Sequence, residues 1–266
     1  MRLVELKVSL RISFSQPEKE GDHPFEPALR LCSNLDYDGV ELCLEPETWA
    51  RWRPLAWSPS LKAEERVKIR RVADSYGLEI ASLSSDWAWG YSTYCPKLKY
   101  WQRGMEVLKE DICLAKDLGA KAILIHFGTS QAQSWQQTKD MIKELAEEGE
   151  MRGVRVGFEG GIWARIGLGG LKELCQMVDE VGSKWFGVYE HCYWPRGTTQ
   201  PHEEINLVGE RIVCLHSGRI DTKNIDYGLM LKALKKYYDW YWVFEVEMEE
   251  AEENIKLWKE VTAKYW

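Results

Sequence analysis

Four apolar runs in this chain end on side chains able to hold a cation or move a proton: 154–159 closes on Glu159, 186–191 on Glu190 and His191, 211–216 on His216, and 242–245 on Glu245. Carboxylate oxygens combined with imidazole nitrogens suit Mn2+, Co2+, Zn2+ or Fe2+ better than Ca2+. If each run is a buried strand, neighbouring strands deliver these groups to one end of a sheet, the placement that a divalent metal site on a parallel barrel needs. Taken singly, each has a plainer reading, as a solvated or ion-paired glutamate or a histidine bonded to backbone. Glu190 and His191 are adjacent and point to opposite faces of a strand, so only one of them belongs to such a cluster. His126, ending the run 122–126, is placed to be a further ligand or a donor to substrate, and Arg219, three residues past His216, to reach a hydroxyl or a phosphate.

The elements that must position these groups can be read from periodicity. Apolar and polar residues alternate over 3–10, and short apolar stretches recur at 38–44, 78–83, 122–126, 154–159, 186–191, 211–216 and 241–246, which predicts eight strands. Between them lie helical patterns over 26–35, 59–76, 100–118, a stretch containing Met141, Ile142 and Leu145 and ending at Gly153, 171–181, 227–237 and 251–265. Gly77 and Gly119 supply stops, Pro59 suits a first helical position, and Asp226 is a plausible N-cap. The segment 195–206 reads as a polar connection. Strands alternating with helices imply right-handed crossovers and a parallel sheet. Eight such units in about 260 residues match an α/β (β/α)8 TIM barrel forming a single domain over 1–266. A doubly wound open sheet fits less well, because the first strand–helix turn lacks G-x-G-x-x-G and the glycine cluster Gly167, Gly169, Gly170 follows the fifth strand.

Composition bounds the function. A formal charge of −7 argues against a protein that grips a phosphate backbone, so no nucleic-acid partner is expected. Seven scattered cysteines without a CxxC read as free thiols in a reducing compartment. The opening residues, Met1-Arg2-Leu3-Val4-Glu5-Leu6-Lys7, carry charge where a signal peptide has an apolar core, and no run approaches the ~20 apolar residues of a membrane span. Together these predict a cytoplasmic protein with no membrane partner. The chain holds 14 Trp and 12 Tyr, several of them, including Trp87 and Trp194, in predicted loops. Such rings can wall a pocket and offer flat faces to the C–H side of a sugar, or simply pack loops onto helices.

Asp38-Gly39-Val40-Glu41-Leu42, the stretches 77–83, 115–128 and 153–159, and Ile225-Asp226-Tyr227 with the run 231–235 ahead of Glu245 resemble the xylose isomerase-like TIM barrel superfamily. Within it the likeness is to ketose 3-epimerases and pentulose-phosphate 3-epimerases, and it spans nearly the whole chain. The resemblance implies one divalent ion held by Glu, Asp, His and Glu from strands five to eight, which carries over to Glu159, His216 and Glu245. At the Asp position this chain departs: His191 stands there without gaps, followed by Trp194 at the next family position, and a one-residue shift puts Glu190 there instead. The implied reaction is proton transfer beside a carbonyl of a sugar or sugar phosphate through an enediolate, with Glu159 and Glu245 as the two bases. Bases on opposite faces epimerise; transfer along one face isomerises. The likeness also implies a homodimer or homotetramer, with His126, Arg219, Trp194 and Trp87 around the substrate.

Three other activities share the scaffold. An inosose dehydratase-like lyase starts from the same proton removal, and a sugar-binding barrel without turnover would tolerate the altered strand-six residue. An endonuclease IV-like enzyme needs more histidines than the five present, and a basic face.

Overall fold

The computed structural model describes residues 6–12, 23–44, 61–85, 98–125, 134–160, 168–192 and 200–266. Eight parallel strands close in sequence order into a barrel. They are β1 (Lys7–Ile12), β2 (Gly39–Leu44), β3 (Glu79–Ser85), β4 (Ala122–Ile125), β5 (Arg155–Glu159), β6 (Phe186–His191), β7 (Ile212–Ser217) and β8 (Tyr241–Phe244). Each is followed by a helix: α1 (Glu26–Asn34), α2 (Ala63–Ser75), α3 (Leu98–Leu118), α4 (Trp135–Arg152), α5 (Leu171–Val181), α6 (Pro201–Val208), α7 (Tyr227–Leu234) and α8 (Ala251–Tyr265). The (β/α)8 architecture read from the alternation is therefore the architecture found. Closure by β1–β8 pairing, with Leu10 opposite Phe244, removes both sheet edges.

Two differences from the sequence reading matter. The first strand runs on through Ile12 rather than stopping at Leu10, which brings Arg11 into register with Glu41 of β2. The polar segment 195–206 runs into α6, whose signals are Pro201 in the first turn and Glu203, whose carboxylate accepts the Gln200 N–H at 2.8 Å.

Local chemistry explains the elements. Ser134 caps α4 by accepting from Gln137 N while Gln137 reaches back to the Ser134 N–H, and Gly153, at φ 70°, ends that helix in the left-handed conformation that glycine adopts without strain. The Asp226 side chain accepts from Leu229 N, as its N-cap reading requires.

Alternation along the strands makes two compartments. Outward residues such as Leu10, Leu42, Leu83, Phe158, Val188, Leu215, Trp242 and Phe244 join the helices in one continuous apolar shell. Trp242 packs against Trp258 of α8 with ring centroids 4.6 Å apart and the rings tilted by 42°, and its full burial is worth on the order of 2–3 kcal/mol. Inward, Ala122, Leu124, Tyr189, Val213 and Val243 form a small plug. Gly157 makes that plug possible, since a Cβ there would lie 2.8 Å from Tyr189 Cδ2 and 3.3 Å from Val213 Cβ. Above the plug the inward positions become polar.

Candidate metal and active site

The polar layer gathers at the C-terminal ends of the strands. β5 and β6 pair with Glu159 opposite Tyr189, and β6 and β7 pair with His191 opposite His216, so both histidines sit on one level. Glu245 follows β8 directly, its N–H donating to Ser217 O at 2.7 Å. The side chains form a chain of close approaches. Glu159 Oε1 lies 3.2 Å from His191 Nδ1, His191 Nε2 lies 3.0 Å from His216 Nδ1, and His216 Nδ1 lies 4.0 Å from Glu245 Oε2. Exposure rises from 1% at the His216 side chain through 9% at His191 and 13% at Glu159 to 30% at Glu245, so the group opens to solvent on one side.

Glu190 is not part of this group. Strand alternation turns it outward, where it is 2% exposed and its charge reaches Cys175 of α5. Of the two alternatives at strand six, His191 faces Glu159 and His216. Arg219 is half-exposed and pairs with Glu253 at 2.6 Å and Glu250 at 3.6 Å, around the start of α8. His126, Trp87 and Trp194 lie outside the described residues.

Two contributors were not singled out by the sequence reading. Arg11 enters from β1, where its guanidinium pairs with Glu245 and its Nη2 lies 3.0 Å from Cys43 Sγ. Glu41 enters from β2, fully buried, with Oε1 2.7 Å from His216 Nε2 and Oε2 accepting from Ser82 Oγ at 2.7 Å and from the Tyr189 hydroxyl. Burial alone would push the Glu41 carboxyl up, but the facing His216, the Arg11 guanidinium 3.8 Å away and the Tyr189 hydroxyl overcome it and hold the group at about 2. Burial, together with the Cys214 thiol and Glu41, pushes the Tyr189 phenol well above its ordinary range, which keeps it a neutral donor. The sequence does mark Glu41 as a carboxylate interrupting the apolar run 40–44, though not its partner, and the strand proves buried at every position.

The donor set can be tested against a cation. His191, His216 and Glu245 each offer an atom within 4.8 Å of the others, and Glu159 adjoins His191. Two imidazoles and one carboxylate from three consecutive strands match the N/O ligand sets of Zn2+, Mn2+, Co2+ or Fe2+, and Glu159 adjoins them on the Nδ1 side of His191. The residues present fit such an ion.

A family model described as "Xylose isomerase-like TIM barrel" matches residues 29–262. The chain belongs to that family. Among solved structures, this xylose isomerase-like barrel is similar to a xylose isomerase domain protein from Planctomyces limnophilus at 14% identity and TM-score 0.72, with 98% of each chain covered. It is similar to a D-psicose 3-epimerase at 13% identity and TM-score 0.68, covering 95% of this chain and 90% of that one. It is similar as well to a 3-keto-D-glucoside 4-epimerase from E. coli at 12% identity and TM-score 0.68, covering 96% and 99%. At such identities these likenesses concern the fold. No curated protein matches the chain by sequence. Among the described residues no helix of the xylose isomerase-like barrel is long and apolar enough to cross a membrane, and six cysteines are free thiols.

Proposed function

We propose that this protein is a divalent-metal-dependent sugar or sugar-phosphate isomerase or epimerase that moves a proton at a carbon beside a carbonyl. The observation that carries the reading is the convergence of Glu159, His191, His216 and Glu245 at the open end of the barrel, in a chain of the xylose isomerase-like family with epimerases among its structural neighbours. These four residues would hold the ion, with His191 standing where the family resemblance implies an aspartate. A bound divalent cation supplies positive charge to the substrate oxygens on which negative charge develops.

The protein's own groups carry the proton. Glu159 and Glu245 reach the mouth from β5 and β8, at the two ends of the chain that passes through His191 and His216. One carboxylate takes the proton from the carbon next to the carbonyl and the other returns it. If they act on opposite faces of the sugar the centre inverts; if one carboxylate acts alone the carbonyl moves. Arg11, paired with Glu245, orients that carboxylate. The remaining expected substrate contacts, His126, Trp87, Trp194 and Arg219, follow from their places in sequence after the strands.

The partners this reading implies are a small sugar and, by the family resemblance, further copies of the chain as a dimer or tetramer. The charge of −7 disfavours nucleic acid. Free cysteines accord with a reducing compartment such as the cytoplasm, and one domain spanning 1–266 accords with the matched range. A sugar-binding barrel without turnover is the second reading, favoured by the histidine at strand six.

The test is solvent exchange in D2O. Protein loaded with Mn2+ is incubated with a panel of ketoses and ketose phosphates and followed by mass spectrometry and 13C NMR. Deuterium at C1 or C3 of a substrate, dependent on the metal, is the expected result. Metal binding with no exchange on any substrate supports the binding protein, and exchange that survives chelation contradicts the metal dependence.

A further inference from the structure

A carboxylate in the middle of a barrel must be compensated on every side or it costs several kcal/mol. Glu41 is compensated by three donors whose arrangement carries information. An ionised carboxylate accepts hydrogen bonds and donates none. Ser82 Oγ and the Tyr189 hydroxyl occupy Oε2, and His216 Nε2 faces Oε1 at 2.7 Å. The imidazole must therefore carry a hydrogen on Nε2. In the neutral ring this leaves the lone pair on Nδ1, the nitrogen that lies 3.0 Å from His191 Nε2 and on the side of Glu245. The ring has little freedom to turn, because Tyr189 packs edge-on against it with centroids 4.7 Å apart and His216 is 1% exposed.

We propose that Glu41 is a positioning residue that locks His216 in the Nε2–H tautomer and so presents Nδ1 as a ready-made metal ligand. The proposal rests on the reading of the barrel mouth as a metal site, but its first step, the tautomer, does not require metal. In this arrangement β2 contributes no ligand. It supplies the outer carboxylate of a carboxylate–histidine–metal relay, supported from below by β3 through Ser82 and by β6 through Tyr189.

Glu41→Gln gives a sharp prediction because the amide is nearly the same size but has one acceptor and one donor. Ser82 and Tyr189 both donate at the Oε2 place, and although Ser82 Oγ can accept an amide hydrogen, only the amide oxygen there keeps both hydroxyl donations; the NH2 group then faces His216 Nε2. That nitrogen must then become the acceptor, and the ring hydrogen moves to Nδ1, where it blocks the ligand position.

The experiment is long-range 1H–15N correlation spectroscopy on metal-free protein labelled with 15N-histidine, with the His216 signals assigned by their loss in His216→Gln. In parallel, Mn2+ and Zn2+ affinities are measured by competition with a chromophoric chelator, and thermal unfolding is followed for each variant. The wild type should show His216 protonated on Nε2 and Glu41→Gln should show it protonated on Nδ1, with metal affinity lower by about 10–100-fold, the usual effect of losing an outer carboxylate. Ser82→Ala leaves Oε1 facing His216, so it should keep the wild-type tautomer and an affinity within about threefold even if it lowers Tm. A wild-type His216 protonated on Nδ1 overturns the proposal. So does a Glu41→Gln variant with wild-type affinity, or one whose affinity falls without a change of tautomer, since that would be lost charge alone. Should Glu41→Gln fail to fold, the wild-type tautomer and the Ser82→Ala affinity still decide. A wild type that binds neither ion but shows the Nε2–H tautomer would remove the metal reading while leaving the Glu41–His216 pairing in place.

Discussion

Strands β5 to β8 and strands β1 to β3 build the same end of the barrel in different ways. The later strands place Glu159, His191 and Glu245 at or just past their last residues, 9–30% exposed, and His216 one residue before the end of β7, 1% exposed. The earlier strands place Arg11, Glu41 and Ser82 against those groups from the first half of the barrel, with Glu41 and Ser82 wholly buried. One half carries the candidate ligands, and the other packs charged and hydroxyl groups against them. A residue at a strand end can therefore be replaced at the cost of chemistry, whereas one in the supporting layer is replaced at the cost of both geometry and stability.

That contrast can be broken or sharpened by substitution. The largest effect belongs to His216, which both halves share. His216→Ala should lower bound Mn2+ from about one ion per chain to nearly none and abolish exchange, measured by elemental analysis and D2O incorporation. Next is Glu159→Gln, which should retain the fold and lower exchange by about 10²–10⁴-fold, the usual contribution of a general base. Within the later half but beneath the strand ends, Tyr189→Phe on β6 removes a donor to buried Glu41 and should cost roughly 1.5–3 kcal/mol in urea unfolding, with metal affinity falling less than in His216→Ala.

Outside both halves, between β3 and α3, Asp111 is fully buried against Ser85 Oγ; burial, with Glu110 nearby, pushes its carboxyl up from 3.8 to about 8 despite the Ser85 hydrogen bond. The folded protein thus holds a proton that the unfolded chain releases above pH 3.8, so this group's contribution to stability is full below that value and is lost as pH rises toward about 8. Asp111→Asn should flatten this part of the pH profile and stabilise the protein at pH 8 relative to pH 4 by on the order of a few kcal/mol, read from Tm across that range. The smallest effect is the most discriminating at strand six. Glu190→Gln should leave metal affinity within about twofold, because that side chain lies on the far face of β6.

How much of this was legible follows the same division. Strand-end residues announce themselves, because a metal-capable side chain closing an apolar run is visible in one dimension, and strand parity puts His191, not Glu190, on the face of Glu159 and His216 once the strand limits are known. The supporting layer is built by register between strands far apart in sequence. Arg11 meets Glu245 across 234 positions and Glu41 meets His216 across 175, and no local pattern encodes either pairing. Arg11 was hidden further by a strand read as ending at Leu10. Helix α6 is eight residues long and its buried face, Pro201, Glu204, Ile205 and Val208, includes a glutamate, which masks the helical spacing in the sequence, although Pro201 and Glu203 are usable start signals.

The central claim is that one divalent ion is held by the ends of β5 to β8, and crystals soaked in Mn2+ and measured at a wavelength where manganese scatters anomalously test it most directly. The account predicts a single strong anomalous peak about 2.0–2.3 Å from atoms of Glu159, His191, His216 and Glu245. No peak among these four side chains, or a peak on the Glu190 face of β6, would contradict it.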